Sequence, residues 1–339
     1  MEEVLCVFTG EEGFRYMEGV PSEDISKGGE YFVAAPFSSS THKASVIQGN
    51  IRNGLPDASL LNSYLNKVPK TESSPQETSP AVFKSWVEKA CKEMERGMLR
   101  KVVLSAIKKF NWELNGHNLI GLLHKMVASH PGDFVCLLVS PAQGVWLGAS
   151  PELLLSIQKD YISSTALAGT RPAQGDPEAP WGHKEKEEQE LVTRFLEEFF
   201  IQKGVKGLRI QGPFTRRAGD LEHLCTELSG HYDWQSLHDI VELAQTLHPT
   251  PAVGGLPRSE ALNFLACTET HDRELYSGYW GYLTGKESRL FVNIRCVRLG
   301  PEGSWVYAGA GITSLSRPDT EWIEVRRKMR STLAVFAEP

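Results

Sequence analysis

Between residues 133 and 163 three apolar runs, DFVCLLVS, GVWLGAS and ELLLSIQKDYIS, succeed one another with only tight turns between them. A parallel crossover needs about a dozen residues or more, so strands this close in sequence pair as antiparallel hairpins. The same texture returns near the C-terminus in GYWGYLTG, SRLFVNIRCVRLG and SWVYAGAGITSL. LRKVVLSAIKKFNW is dense in β-branched residues, and EYFVAAPF and KASVIQG give weaker strand signals. Helical periodicity separates these runs. It is clearest in AVFKSWVEKACKEMERG, with Val82, Trp86, Ala90 and Met94 on one side, and in EKEEQELVTRFLEEFFIQKG, closed by a glycine where a C-cap would sit. NLIGLLHKMVASH, SLHDIVELAQTL, SEALNFLAC and the C-terminal segment read as further helices. The expected class is α+β: large antiparallel sheets flanked by helices, in a single domain. A Ser/Pro/Thr-rich stretch, PKTESSPQETSPAVF, reads as a surface loop that sets residues 1–80 apart from 81–339 within that domain.

Bulk properties exclude several classes. A formal net charge of -6 argues against non-specific nucleic-acid binding, which needs a basic surface. No apolar run reaches the roughly 18 residues of a membrane span. The segment MEEVLCVFTGEEGFRY is acidic and lacks a basic region followed by a long apolar core, so no secretory signal is expected. The cysteines at 6, 91, 136, 225, 267 and 296 form no C-x-x-C pair, which points to reduced thiols in a cytoplasmic protein. No G-x-G-x-x-G opens a βαβ unit, and no Walker lysine is present.

Two acidic helix faces stand out. Glu185 and Glu188 sit at i and i+3 in HKEKEEQELV, and Glu321 and Glu324 repeat that spacing in GAGITSLSRPDTEWIEVRRKM. Four carboxylates facing one another would repel strongly unless a divalent cation lay between them, and Mg²⁺ suits such oxygen ligands. A solvated face explains EKEEQE equally well. It explains Glu321 and Glu324 less readily, because Gly309 and Gly311 lie just upstream, where backbone can approach a ligand closely. Lys328 is either an i, i+4 partner of Glu324 or a cation for a substrate carboxylate.

Other polar residues sit in apolar surroundings. Lys101 begins KVVLSA, pointing inward from a strand or lying at its wet end. Glu152 in GASPELLLS is a surface turn residue or a buried acid with a raised pKa. Arg295 interrupts LFVNIRCV, where an anionic partner is expected. Gly169 and Thr170 in ALAGTRP could present an N–H and a hydroxyl. The loop TLHPTPAVGGLP holds His248 and Thr250, and LEHLCTELSGH holds His223, which could equally be a core histidine.

Taken in order, KVVLSA, LGASPELLLS, ALAGTRP, KEKEEQELV, LEHLCTELSG, LHPTPAVGGLP, RELYSGYWGYL, LFVNIRCV and AGAGITSLSRPDTEWIEVRRKM resemble the chorismate-utilising enzymes. The resemblance spans roughly residues 97 to 335, and residues 1–80 correspond to the variable N-terminal part of that family. It implies chorismate as substrate and Mg²⁺ as cofactor. Glu188 and Glu324 would be the principal ligands, with Glu185 and Glu321 as their partners. Gly169, Thr170 and Lys328 would fix the ring-carboxylate end. Tyr276, Arg295 and Gly311 would hold the enolpyruvyl carboxylate, with Gly309 and Thr250 also at the substrate. Lys101 would activate the nucleophile, Glu152 would protonate the leaving hydroxyl, and His223 would lie near the enolpyruvyl group.

Within the family, Lys101 disfavours the ammonia-using branch, and HPTPAVGG looks most like isochorismate synthases. The expected reaction is hydroxyl transfer on chorismate, an isomerisation that feeds menaquinone or siderophore synthesis. Salicylate synthesis is the rival activity, and an inactive chorismate-binding scaffold is the rival of another class. A monomer that needs no amidotransferase subunit is expected. One departure is Gln189, where the family often has histidine.

Overall fold

The computed structural model describes residues 2–26, 28–38, 42–69, 75–174, 176, 178–219 and 221–337. Period-two alternation shapes its strands. In β1 (Val4–Gly10), Val4, Cys6 and Phe8 enter one core while Leu5 and Val7 enter another. β2 (Gly13–Pro21), β3 (Glu30–Ala35) and β4 (Ser45–Asn53) follow, then α1 (Ala58–Leu65) and α2 (Pro80–Glu95). β5 (Lys101–Phe110) leads through α3 (Gly116–Ser129) into the hairpin run β6 (Phe134–Ser140), β7 (Gly144–Ser150), β8 (Leu153–Gln158) and β9 (Tyr161–Pro172). α4 (His183–Gln202) precedes β10 (Lys206–Ala218), β11 (Leu221–His231), α5 (Leu237–Leu247), β12 (Gly255–Leu256) and α6 (Arg258–Thr268). The chain closes with β13 (Tyr279–Leu283), β14 (Glu287–Val292), β15 (Cys296–Leu299), β16 (Ser304–Ile312) and α7 (Pro318–Leu333).

All strands join one antiparallel sheet of 16 strands, ordered β10-β11-β9-β8-β14-β13-β3-β4-β2-β1-β6-β7-β15-β16-β5-β12. The sheet folds back on itself. Phe134 of β6 stacks on Phe291 of β14 at 4.3 Å, and Phe8 of β1 on Tyr282 of β13 at 5.4 Å, although neither pair of strands is adjacent. This aromatic layer is the middle core. Helices α4 and α5 cover the outer face of one half, burying Val192, Leu196 and Phe200. Helices α2, α3 and α7 cover the other half through Phe83, Leu123 and Val325. The expected α+β class with flanked antiparallel sheets is thus borne out.

Several local expectations differ. Trp86, Ala90 and Met94 take the buried side of α2 as expected, but Val82 is 38% exposed and Phe83 and Val87 join the buried stripe in its place. SRLFVNIRCVRLG is two strands, broken at residues 293–295. The β10–β11 hairpin was not expected, since β10 is mostly exposed and lacks an apolar alternation. Gly309 and Gly311 lie inside β16, paired with Ser105 and Val103. Residues 70–74 of the Ser/Pro/Thr-rich stretch lie outside the described residues.

Candidate active site

The site forms where β5 and β16 of one sheet half approach β9 and β11 of the other, between α4 and α7. Alternation in β5 sends Val102 and Leu104 into the helix-covered core and leaves Lys101 and Val103 facing a cavity. Beside them runs β16, whose glycines make room for side chains. A Cβ on Gly311 would lie 2.5 Å from Oε2 of Glu188 and 3.3 Å from Cε of Lys101. A Cβ on Gly309 would lie 2.9 Å from the Tyr276 hydroxyl. These glycines serve close side-chain approach, which is why they occupy a strand.

On the opposite wall the β9–β11 register skips: Ala168 pairs with Leu224 and Arg171 with Glu222, so Gly169 and Thr170 together oppose His223. This is a β-bulge, and Gly169 supplies its left-handed backbone with φ of 64°. The bulge turns the Gly169 carbonyl to Nδ1 of His223 at 3.1 Å, with the Thr170 hydroxyl at 3.3 Å. Nε2 of the same ring lies 2.6 Å from a guanidinium nitrogen of Arg295. Guanidinium only donates, so Nε2 accepts and the imidazole proton sits on Nδ1, donating to Gly169. Burial, reinforced by Arg295, holds His223 well below its ordinary pKa and therefore neutral.

Arg295 sits at the break between β14 and β15 with φ of 49°, and not within a strand as expected. Among the described residues, the carboxylate of Asp133 lies 3.5 Å from its guanidinium, which is too long for a tight bidentate pair. Burial pushes Asp133 up to about 6, against the opposing pull of Arg295.

Two buried groups are shifted in opposite directions. Lys101 is 1% exposed, and burial lowers its pKa, with Glu188 and Glu152 partly offsetting that effect. Glu152 is 3% exposed, and burial pushes it up to about 8 despite the charges of Lys101 and Lys328. Its backbone is fixed by N–H donation to the Ser150 hydroxyl at 3.2 Å and by acceptance from Val292 at 3.0 Å.

The carboxylates are arranged differently from the expectation of four facing ligands. Glu188 and Glu324 line the cavity, whereas Glu185 and Glu321 do not. The Lys184 ammonium stands 2.6 Å from Glu321 and 3.5 Å from Glu188, so it already neutralises much of the cluster. Glu185 instead packs its Cβ against Gly169. Among the described residues no three His, Cys, Asp or Glu groups converge on a metal position. Glu188 is raised chiefly by burial, with Glu324 and Glu321 adding to the effect. Glu188 and Glu324, both at one cavity, are oxygen donors of the kind that suits Mg²⁺, which takes few protein carboxylates and fills its remaining positions with water or ligand oxygens. Lys328 bonds both Glu324, at 2.8 Å, and the Gly309 carbonyl, at 2.9 Å.

Of the expected residues, Lys101, Glu152, Gly169, Thr170, Glu188, His223, Tyr276, Arg295, Gly309, Gly311, Glu324 and Lys328 line one cavity. Thr250 does not; its loop presents Ala252 and Val253 there, while its hydroxyl is buried without a hydrogen-bond partner. Sequence reasoning missed Lys184 and Asp133. The i, i+4 spacing of Lys184 and Glu188 was a usable signal, whereas nothing marked Asp133. Gln189 has a clear role: its amide accepts from Ala168 N–H and donates to the Ala166 carbonyl and the Thr226 hydroxyl, pinning α4 to β9 and β11.

Residues 27–337 match the family model described as chorismate binding enzyme. The chain belongs to this family. Isochorismate synthase EntC of Escherichia coli is 31% identical over 278 residues, covering 79% of this chain and 70% of the relative. The menaquinone-specific isochorismate synthase MenF of Escherichia coli superposes with a TM-score of 0.76 at 20% identity, covering 98% and 89% of the two chains. Anthranilate synthase component I of Streptococcus pneumoniae shares the fold with a TM-score of 0.69 at 18% identity, covering 92% and 81%. No described helix of this chorismate-binding protein is long and apolar enough to cross a membrane.

Proposed function

We propose that the protein is an isochorismate synthase that isomerises chorismate by adding water at C2 and expelling the C4 hydroxyl. The observation that carries this reading is the opposed pair at one cavity: a buried lysine pushed toward its neutral form and a buried glutamic acid held protonated. Lys101 removes a proton from the attacking water, and Glu152 gives a proton to the departing hydroxyl, which leaves as water. The two groups exchange the proton back through solvent, so the cycle balances. Each transfer contributes about 10²–10⁴-fold.

The remaining residues orient the substrate. Arg295 and Tyr276 would receive the enolpyruvyl carboxylate, with His223 holding the guanidinium. The Gly169–Thr170 bulge and Lys328 would fix the ring end. Mg²⁺ held by Glu188 and Glu324 would neutralise and orient the ring carboxylate. His223 carries its proton on Nδ1, away from Arg295 and toward Gly169, which leaves it no proton to deliver at Nε2. That supports isochorismate as the final product. A cytoplasmic location and action as a monomer without an amidotransferase belong to the same proposal; the six cysteines, all free, are consistent with a reducing compartment.

Product analysis after incubation with chorismate and Mg²⁺ tests this, with a no-metal control and Lys101→Ala beside it. Isochorismate alone, lost in both controls, is the expected result. Salicylate with pyruvate, or turnover only with added ammonia, would overturn it.

A further inference from the structure

A dianionic substrate must approach a chain whose net charge is -6. The mean field of such a protein repels it, so productive encounter needs a local reversal of sign. The structure contains one. Ser331 lines both the catalytic cavity and an adjoining surface cleft, and the charged walls of that cleft are Arg217, Arg327 and Arg330. Among the described residues no carboxylate lines it, and none of the three guanidiniums joins an ion pair. Asp220 and Glu338 lie outside the described residues.

The positive charge continues inward. Arg216, next to Arg217 on β10, pairs across the ladder with His223, and its charge reaches both His223 and Asp133. Arg295 then stands at the cavity itself. Guanidiniums thus lead from exposed Arg217 and Arg330, through half-buried Arg327 and Arg216, to the substrate-facing Arg295.

We propose that the Arg217–Arg327–Arg330 cleft is an entry site that captures small dicarboxylate dianions and passes them to the catalytic cavity. This rests on the chorismate reading above. Its ligand class is set by charge and size, and its contribution is to substrate capture, separate from the chemical step.

The test compares wild type, Arg327→Gln/Arg330→Gln, Arg217→Gln and a control, Arg209→Gln, which is exposed elsewhere on β10. Steady-state kinetics are run at fixed saturating Mg²⁺ over roughly 20–300 mM NaCl, a range that spans strong to weak screening. Wild-type kcat/KM is expected to fall with salt. At low salt the double variant should show a KM about tenfold higher and a flatter salt dependence, with kcat and melting temperature unchanged. Arg217→Gln should show a smaller shift in the same direction, and Arg209→Gln none. A double variant with wild-type KM and salt dependence would overturn the proposal, as would an equal loss in the control. Titration calorimetry with chorismate in Mg²⁺-free buffer makes the same comparison without turnover. Absent turnover therefore counts against the function, and equal, equally salt-sensitive Kd values count against the entry site.

Discussion

The Lys101 ammonium lies 3.7 Å from Oε2 of Glu188, with the two side chains only 1% and 9% exposed. Glu188 is the largest influence that keeps Lys101 protonated, while burial pulls the other way. Anything that neutralises Glu188 therefore favours the neutral amine. On the proposed roles, a cation bound at Glu188 would activate Lys101 as a base through this one contact.

Lys101→Ala is expected to lower kcat by about 10²–10⁴-fold. Because Lys101 is a buried partner of Glu188 and its loss opens a cavity, melting temperature should also fall, so turnover is compared on folded protein. Stopped assays of chorismate loss beside thermal melts would check both; near-wild-type turnover would remove Lys101 from the chemistry.

Glu152 titrates at about 8 in the folded chain, against 4.5 for an ordinary glutamate. Between those values the folded state binds more protons than the unfolded state, so this residue costs stability progressively as pH rises across the window. Glu152→Gln should abolish most activity yet raise the melting temperature, and by more at pH 8 than at pH 5. In wild type, kcat should decline above about pH 8 as the acid ionises. A melting gain that shrinks with rising pH would contradict the assignment.

Gly311→Ala places a methyl 2.5 Å from the Glu188 carboxylate. The carboxylate must move, at a stability cost of about 1–3 kcal/mol. The larger effect should fall on Mg²⁺: calorimetric affinity is expected to drop at least tenfold, with activity falling in parallel. Unchanged Mg²⁺ affinity would separate Glu188 from the metal.

Lys184→Gln leaves Glu321, 1% exposed, without its ammonium partner. Removing one member of a buried pair costs about 3 kcal/mol. The metal-free variant should melt lower than wild type, and added Mg²⁺ should recover more of its stability than it adds to wild type. Melts with and without Mg²⁺ decide this; equal Mg²⁺ responses would show that Lys184 and the cation do not share the cluster.

The fold was legible where physics is local. Hairpin spacing around GVWLGAS allowed only antiparallel pairing, and the apolar periodicity of α4 and α5 held. β10 was not legible, because an exposed edge strand with Gly207, Gly212 and Pro213 carries no alternation. The site was legible in membership more than in arrangement. Lys101 and Glu152 were open between wet and buried readings, and only the packed structure decides burial. The acidic pairs suggested four converging carboxylates because spacing along one helix signals the Lys184–Glu188 pair and does not show Lys184 reaching across to Glu321. Arg295 read as a strand residue because its left-handed backbone has no mark in LFVNIRCV.

The first four strands have a consequence for truncation. β3, β4, β2 and β1 stand in mid-sheet, joining β13 on one side to β6 on the other. The family match begins at residue 27, so β1 and β2 precede it. A chain cut after residue 53 would keep every residue proposed for catalysis. It would also bare two long ladders of unpaired N–H and C=O groups, along β13 and β6, in the middle of an apolar slab. Such open ladders recruit other chains. Shortening the protein to its chemically active part should therefore yield aggregate and no smaller enzyme.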